Sequence, residues 1–340
     1  MKAAAWMRDR EADTRLMLVD PREGGVAHGR VGDLASRLRA GDVVVVNDAA
    51  TIPASLRGEA HGGASVELRL AGMPDGDRWP AVSFGAGSWR DRTEDRAPPP
   101  ALRPGDRVRF GDVFSARVVE VDAEHPRLAR VAFDREGDAL WEAIYAHGRP
   151  VQYSYLKGEL PLWGAQTPYA SRPWSVEMPS AGRPLGWSVL RALRERGVAV
   201  VAVTHAAGLS STGDPALDAR LPLPERYAVS DAVVDAVARA RAVGGRVVAV
   251  GTSVVRALES AARDGRLRAG EGVTDLRVDA RTRLRVVDGL LTGMHEPGTS
   301  HYDLMRAFAS AEVLDRVTAA ATREGYLLHE FGDSALLLAA

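Results

Sequence analysis

Residues Gly244–Ala262, GGRVVAVGTSVVRALESAA, constrain the fold more than any other stretch of the chain. Arg246–Val250 is β-branched and apolar without alternation, the pattern of a strand covered on both faces. Gly251 breaks the run, and the hydroxyls of Thr252 and Ser253 suit the capping of a helix. Val254, Val255, Leu258, Ala261 and Ala262 then recur at three- and four-residue steps and make one apolar stripe. Thr252, Arg256 and Glu259 fall on a different stripe. A strand that feeds such a helix presents free N–H groups and a positive helix end to a nearby anion. Arg256, one turn in, suits a two-pronged grip on a carboxylate or phosphate. An ordinary βα unit with a capped helix and a surface Arg–Glu pair fits the same residues, and this stretch alone leaves both readings open.

A second valine run, Val43–Val46, ends in Asn47-Asp48. That either places polar groups at the carboxyl edge of a sheet or simply makes a turn. Thr14–Asp20, Val198–Thr204, Val273–Leu276 and Leu284–Val287 also read as strands. Helical spacing marks Val31–Leu38, Asp138–Ala146, Trp187–Arg196, Ser230–Val243, His301–Ala309 and Val313–Arg323. Between Arg57 and Asp134 the texture changes to short alternating runs: Ser65–Leu70, Trp79–Ser83, Arg107–Phe110, Phe114–Val121 and Arg127–Phe133. Gly, Pro and Asp clusters separate these runs, which predicts an antiparallel module, a small barrel. Arg90, Arg92, Arg96, Arg103, Arg107 and Arg109 interleave there with Trp79, Phe84 and Trp89. Asp91, Glu94, Asp95 and Asp106 dilute that charge, so the segment reads as a solvated face. Two irregular stretches, Gly148–Gly186 and His205–Arg226, are long enough to be functional loops. The predicted fold is therefore α/β. A layered α/β/α main domain of residues 1–56 and 146–340 carries the site, and residues 57–145 form an inserted small antiparallel β-barrel.

At 340 residues the chain exceeds the usual single-domain size, in keeping with two domains. Its 44 Lys and Arg against 45 Asp and Glu give no net positive field, so any contact with RNA needs a local basic surface. The absence of Cys excludes disulfides, thiolate metal sites and cysteine nucleophiles. The N-terminal MKAAAWMRDREADTR lacks the apolar core of a signal peptide, and the apolar runs are too short to span a membrane. The expected location is cytoplasmic.

Four stretches, in order and suitably spaced, resemble the S-adenosylmethionine:tRNA ribosyltransferase-isomerase family of queuosine biosynthesis. They are GDVVVVNDAATIPASL (Gly41–Leu56), VVAVGTSVVRALESA (Val247–Ala261), LLTGMHEPGTS (Leu290–Ser300) and GYLLHEFGDSALLL (Gly325–Leu338). Gln166-Thr167 with Tyr169-Ala170, Pro179–Gly182, and Glu225 with Tyr227 echo the family more faintly. The resemblance implies an α/β domain with an antiparallel barrel inserted near its N-terminal third. It also implies S-adenosylmethionine as co-substrate, no metal, and tRNA as partner. The ribosyl part of the donor goes to the aminomethyl group of 7-aminomethyl-7-deazaguanine, adenine and methionine leave, and the ribose becomes an epoxycyclopentane. That chemistry needs a base for an acidified ribose C5′ hydrogen, an acid for departing adenine, and an acidic pocket for sulfonium and amine. His295, Glu225, Asp48 and Asp333 are the candidate catalytic residues. Asn47, Gly251, Thr252, Ser253, Arg256, Tyr169 and Ser180 are the candidate donor-binding residues.

The chain also departs from the family pattern. Ala49, Ala50 and Ser55 replace a Thr-Arg pair and a further Arg; Pro184 replaces a His; and Arg220–Glu225 (RLPLPE) keeps Glu225 but loses two His. These changes remove cationic groups from the acceptor side, so weaker tRNA affinity is expected. A small amine or nucleobase acceptor and a non-catalytic binder of S-adenosylmethionine or RNA remain alternatives, and the oligomeric state is left open.

Overall fold

The computed structural model describes residues 1–339. The chain opens with β1 (Lys2–Ala3), β2 (Arg15–Val19), β3 (Val26–Arg30), a 3-10 turn over Val31–Arg37, β4 (Val43–Asn47) and β5 (Ala49–Thr51). An excursion follows through β6 (Ser55–Glu59), β7 (Ser65–Leu70), β8 (Arg78–Phe84), β9 (Arg107–Phe110), β10 (Phe114–Val121), β11 (Leu128–Phe133) and α1 (Gly137–His147). The chain returns through β12 (Arg172–Ser175), α2 (Trp187–Glu195), β13 (Ala199–His205), α3 (Pro215–Asp218), β14 (Glu225–Val229), α4 (Asp231–Ala242), β15 (Val247–Val250) and α5 (Thr252–Ala261). It ends with β16 (Gly270–Thr274), β17 (Gly289–Gly293), α6 (Ser300–Met305), α7 (Ala311–Arg323), β18 (Leu327–Leu328) and β19 (Ser334–Leu337).

Nine strands form one sheet in the order β16-β14-β13-β4-β15-β17-β19-β2-β3. Its centre, β13-β4-β15-β17, is parallel, with Val43 opposite both Ala199 and Val247. The missing alternation in β4 has a simple cause. Val43 and Val45 pack under α4 and α5, while Val44 and Val46 join the apolar cluster of the other face with α2 and the Val31–Arg37 turn. Apolar side chains cover both faces, and each fully buried valine contributes roughly 1.5–3 kcal/mol. This is the layered α/β/α arrangement expected. Among the described residues, no helix is long and apolar enough to cross a membrane.

The excursion closes into a six-stranded antiparallel barrel, β10-β11-β8-β7-β6-β9. Leu140, Ala143 and Ile144 of α1 join its apolar core. Buried in the barrel, Glu67 pairs with Arg69 and Arg96 at 2.6 Å each and accepts from Ser55 at 2.9 Å. Burial works against the charge of Glu67, but the two guanidiniums win and hold its carboxyl down at about 2. At the barrel's base, Ser55 and Arg149 exchange two backbone hydrogen bonds of 2.9 Å, and β5 pairs with β12.

Several local expectations need correction. Leu284–Val287 is not a strand: the N–H groups of Arg285, Val286 and Val287 donate to the Glu259 carboxylate at 2.8–3.0 Å. The strand is Gly289–Gly293 instead, and β16 lies at Gly270–Thr274 rather than Val273–Leu276. Glu225 does not sit in an irregular stretch but opens β14. Arg96, read as solvated, is buried against Glu67, as are Trp79 and Phe84 in the barrel core.

Candidate active site

The parallel strands β13, β4, β15 and β17 all end at one edge, and the polar residues that follow them meet there. Asn47 binds these ends together. Its Nδ2 donates to the His205 carbonyl (2.9 Å) and to Ser253 Oγ (3.3 Å). Its Oδ1 accepts from the N–H groups of His205 (2.9 Å) and Ala49 (3.1 Å). Asp48 accepts a 2.6 Å bond from the Thr204 hydroxyl. Gly251 is the N-cap of α5 at φ 89°, with no side-chain cap, so Thr252 and Ser253 are first-turn residues rather than caps. A Cβ on Gly251 would stand 3.4 Å from the Ala181 Cβ, which brings the Ser180–Gly182 turn against the helix start. Tyr169 donates to the Gly182 carbonyl at 3.2 Å, and burial together with the charge of Asp48 raises its hydroxyl above the usual range. Asn47, Asp48, Tyr169, Ser180, Gly251, Thr252 and Ser253 thus share one neighbourhood.

Arg256 is not on a surface stripe. It is 7% exposed; its Nε donates to the Leu276 carbonyl at 2.8 Å, and its Nη1 pairs with Glu225. Helix α5 is covered all round from Val254 to Ser260, which is why stripe reasoning failed for Arg256 and Glu259. Glu225 also accepts from Gly208 N–H at 2.6 Å and lies 3.4 Å from His205 Nε2. His205 is fully enclosed, and neither ring nitrogen has a hydrogen-bond partner. Burial pushes its imidazole down to about 4, with Glu225 opposing and Arg256 assisting. Glu225 and Arg256 therefore hold each other, while the buried Nη2 of Arg256 has no hydrogen-bond partner. Asp333 is likewise engaged: it accepts from Arg8 at 2.6 Å and from the N–H groups of Arg15 (3.2 Å) and Leu327 (2.8 Å). Its carboxylate fastens the final turn, and the residue lines one cleft with Ser180, His329 and Glu330.

His295 follows β17. Its Nε2 and Thr292 Oγ1 share a 2.7 Å hydrogen bond, and its ring stacks on His301 at 5.1 Å and 13°. Burial first, then the charges of His301 and His329, keep His295 well below the ordinary imidazole range. A neutral imidazole is available as a base at pH 7.

Several residues not foreseen complete the site. The Tyr153 hydroxyl donates to Glu177 and the Tyr155 hydroxyl to Glu330, each at 2.5 Å. Burial raises both carboxyls, Glu177 to about 7, where the nearby Glu330 charge assists and the bonds from Tyr153 and Ser210 oppose. Four of the eight histidines, His205, His295, His301 and His329, lie in this region.

The family model described as "Queuosine biosynthesis protein" matches residues 2–337. A protein of Anaeromyxobacter dehalogenans named S-adenosylmethionine:tRNA ribosyltransferase-isomerase is 38% identical, with 96% of this chain and 92% of that protein covered. A Thermus thermophilus protein of the same name is 37% identical, covering 95% and 92%. In fold, the chain is similar to the crystal structure of S-adenosylmethionine tRNA ribosyltransferase from Thermotoga maritima. The TM-score is 0.54 at 22% identity, over 99% of this chain and 96% of that one.

Proposed function

The chain belongs to the queuosine biosynthesis protein family, and from that premise we propose that it is an S-adenosylmethionine:tRNA ribosyltransferase-isomerase. It transfers the ribosyl part of S-adenosylmethionine to the aminomethyl group of 7-aminomethyl-7-deazaguanine in tRNA and isomerises it, releasing adenine and methionine. The observation that carries this reading is the placement of the family's four motifs. They occupy β4, β15, β17 and β19, four consecutive strands of the sheet.

The roles follow from the local chemistry. His295, neutral and oriented by Thr292, removes a proton from the ribose carbon activated by the sulfonium. The uncapped first turn of α5, at Thr252 and Ser253, receives the methionine carboxylate. Asp48 supplies negative charge for the sulfonium and the attacking amine. Asn47, Glu225, Arg256 and Asp333 position these groups, and Tyr169 and Ser180 close the donor side.

The test is incubation with S-adenosylmethionine, with and without tRNA bearing the aminomethyl base, followed by mass analysis of all products. Adenine and methionine release that depends on this tRNA is the expected result. Release without tRNA would shift the acceptor to a small molecule, and no release under either condition would sink the enzymatic reading. Within the same assay, His295→Asn should lower turnover by about 10²–10⁴-fold, the range for a general base. Donor affinity should change by no more than about threefold, since the proposed donor contacts to the α5 start are untouched.

A further inference from the structure

Tyr153, Tyr155 and His329 form a ladder of rings to which the roles above give no task. Tyr153 and Tyr155 are stacked at 6.0 Å and 18°, and Tyr155 and His329 at 4.3 Å and 10°. His329 is the one residue other than glycine with a left-handed backbone among the described residues, at φ 70°. Such a conformation is disfavoured for a residue with a side chain and persists only where the surroundings impose it. Here it belongs to the tight turn between β18 and β19, where Gly332 N–H bonds to the His329 carbonyl at 2.9 Å. The turn lays one face of the imidazole on Tyr155 while the residue stays exposed. His329 and Glu330 line one cleft together with Ser180 and Gly293, so the end of the ladder lies beside Ser180 of the proposed donor side.

Parallel rings present a flat terminal face. An aromatic cage for an ammonium or sulfonium needs rings turned toward a common point, and these are not. We propose that the open face of His329 is a stacking platform for a purine-like base, whose N–H edge is read by the neighbouring Glu330 carboxyl group. This inference rests on the enzymatic reading above, in which two such bases take part: the adenine of the donor and the deazaguanine of the acceptor. Both carry a π-face for the ring and N–H donors for the carboxyl oxygens.

Two variants test it. His329→Asn removes the ring while tolerating the left-handed backbone, and His329→Phe keeps a flat ring. The readouts are the S-adenosylmethionine dissociation constant by calorimetry and the KM for an RNA stem-loop bearing the aminomethyl base. His329→Asn should weaken one of these by roughly 5- to 150-fold, the equivalent of one base–aromatic stack, and His329→Phe should restore most of it. Loss in the calorimetric arm assigns the platform to adenine, and loss confined to the RNA arm assigns it to the acceptor base. Wild-type affinities for both ligands in His329→Asn overturn the platform and leave the enzyme reading intact, as do equal losses in both variants. A wild-type protein that neither binds the donor nor releases adenine overturns both.

Discussion

Arg256 shows how far one side chain can depart from what its spacing suggests. Its place outside the apolar stripe suits an exposed anion holder. It is instead buried against Glu225 and the Leu276 carbonyl, so the fold depends on it as well. Arg256→Ala leaves the Glu225 carboxylate buried without its partner, a loss of about 3–5 kcal/mol. Urea unfolding of the variant should show it, and an unchanged midpoint would rule the role out. Ser55, where the family pattern carries an Arg, donates to Glu67, and Arg69 and Arg96 supply the cations that the carboxylate needs. Glu177 gives a pH prediction. Burial raises its folded pKa from 4.5 to about 7, so between those values the native state binds more protons than the unfolded chain. Stability then falls as pH rises through that window, with the full penalty present above it. Glu177→Gln, which cannot ionise, should gain about 1–2 kcal/mol over wild type at pH 8 relative to pH 5, allowing for its partial exposure. Equal differences at both pH values in denaturant titrations would contradict this.

Among the elements, the strand-turn-helix of β15 and α5 was the most legible. The unbroken apolar runs of β15 and β4 mean cover on both faces, and that cover sets the class of sheet. The turn was read less well. Ordinary capping preference favours Thr252 or Ser253, whereas Gly251 takes the N-cap position at φ 89° and leaves the first turn open. Gly251→Ala forces a Cβ into a backbone that L-residues avoid, and its cost should be about 1–2 kcal/mol. Donor affinity should fall with it, because the same turn faces the proposed carboxylate site; a calorimetric titration at matched folded fraction separates the two effects. The residues missed by sequence reasoning share a cause. Glu177, Glu330, Tyr153 and Tyr155 lie in or beside irregular backbone, where no period of two or 3.6 reports direction. Leu284–Val287 failed for a different reason: β-branched residues marked it as a strand, but Glu259 takes the N–H groups that a ladder would have used.

For the whole molecule, a formal net charge of −1 says little about how it meets RNA, because the charge is unevenly spread. On the barrel, exposed Arg107 and Arg117 stand directly opposite each other on β9 and β10, with Arg103 and Arg109 exposed nearby. Like charges so paired repel unless a partner intervenes, and a phosphate backbone is such a partner. Changing Arg103, Arg107 and Arg109 to Ala should weaken tRNA binding and flatten its salt dependence by about two in the log–log slope. An electrophoretic series across salt concentrations measures both, and an unaltered slope would move the RNA to another face. The strand order carries one more consequence, for synthesis of the chain on the ribosome. Strand β19 lies between β17 and β2, so a strand made near the start waits for the last strand of the sheet to emerge. Until Ser334–Leu337 arrives, two apolar strand edges stay open, and the His329–Ser334 turn has nothing to close against. Docking of β19 therefore joins β17 to β2 and seats the turn that bears His329 in a single step.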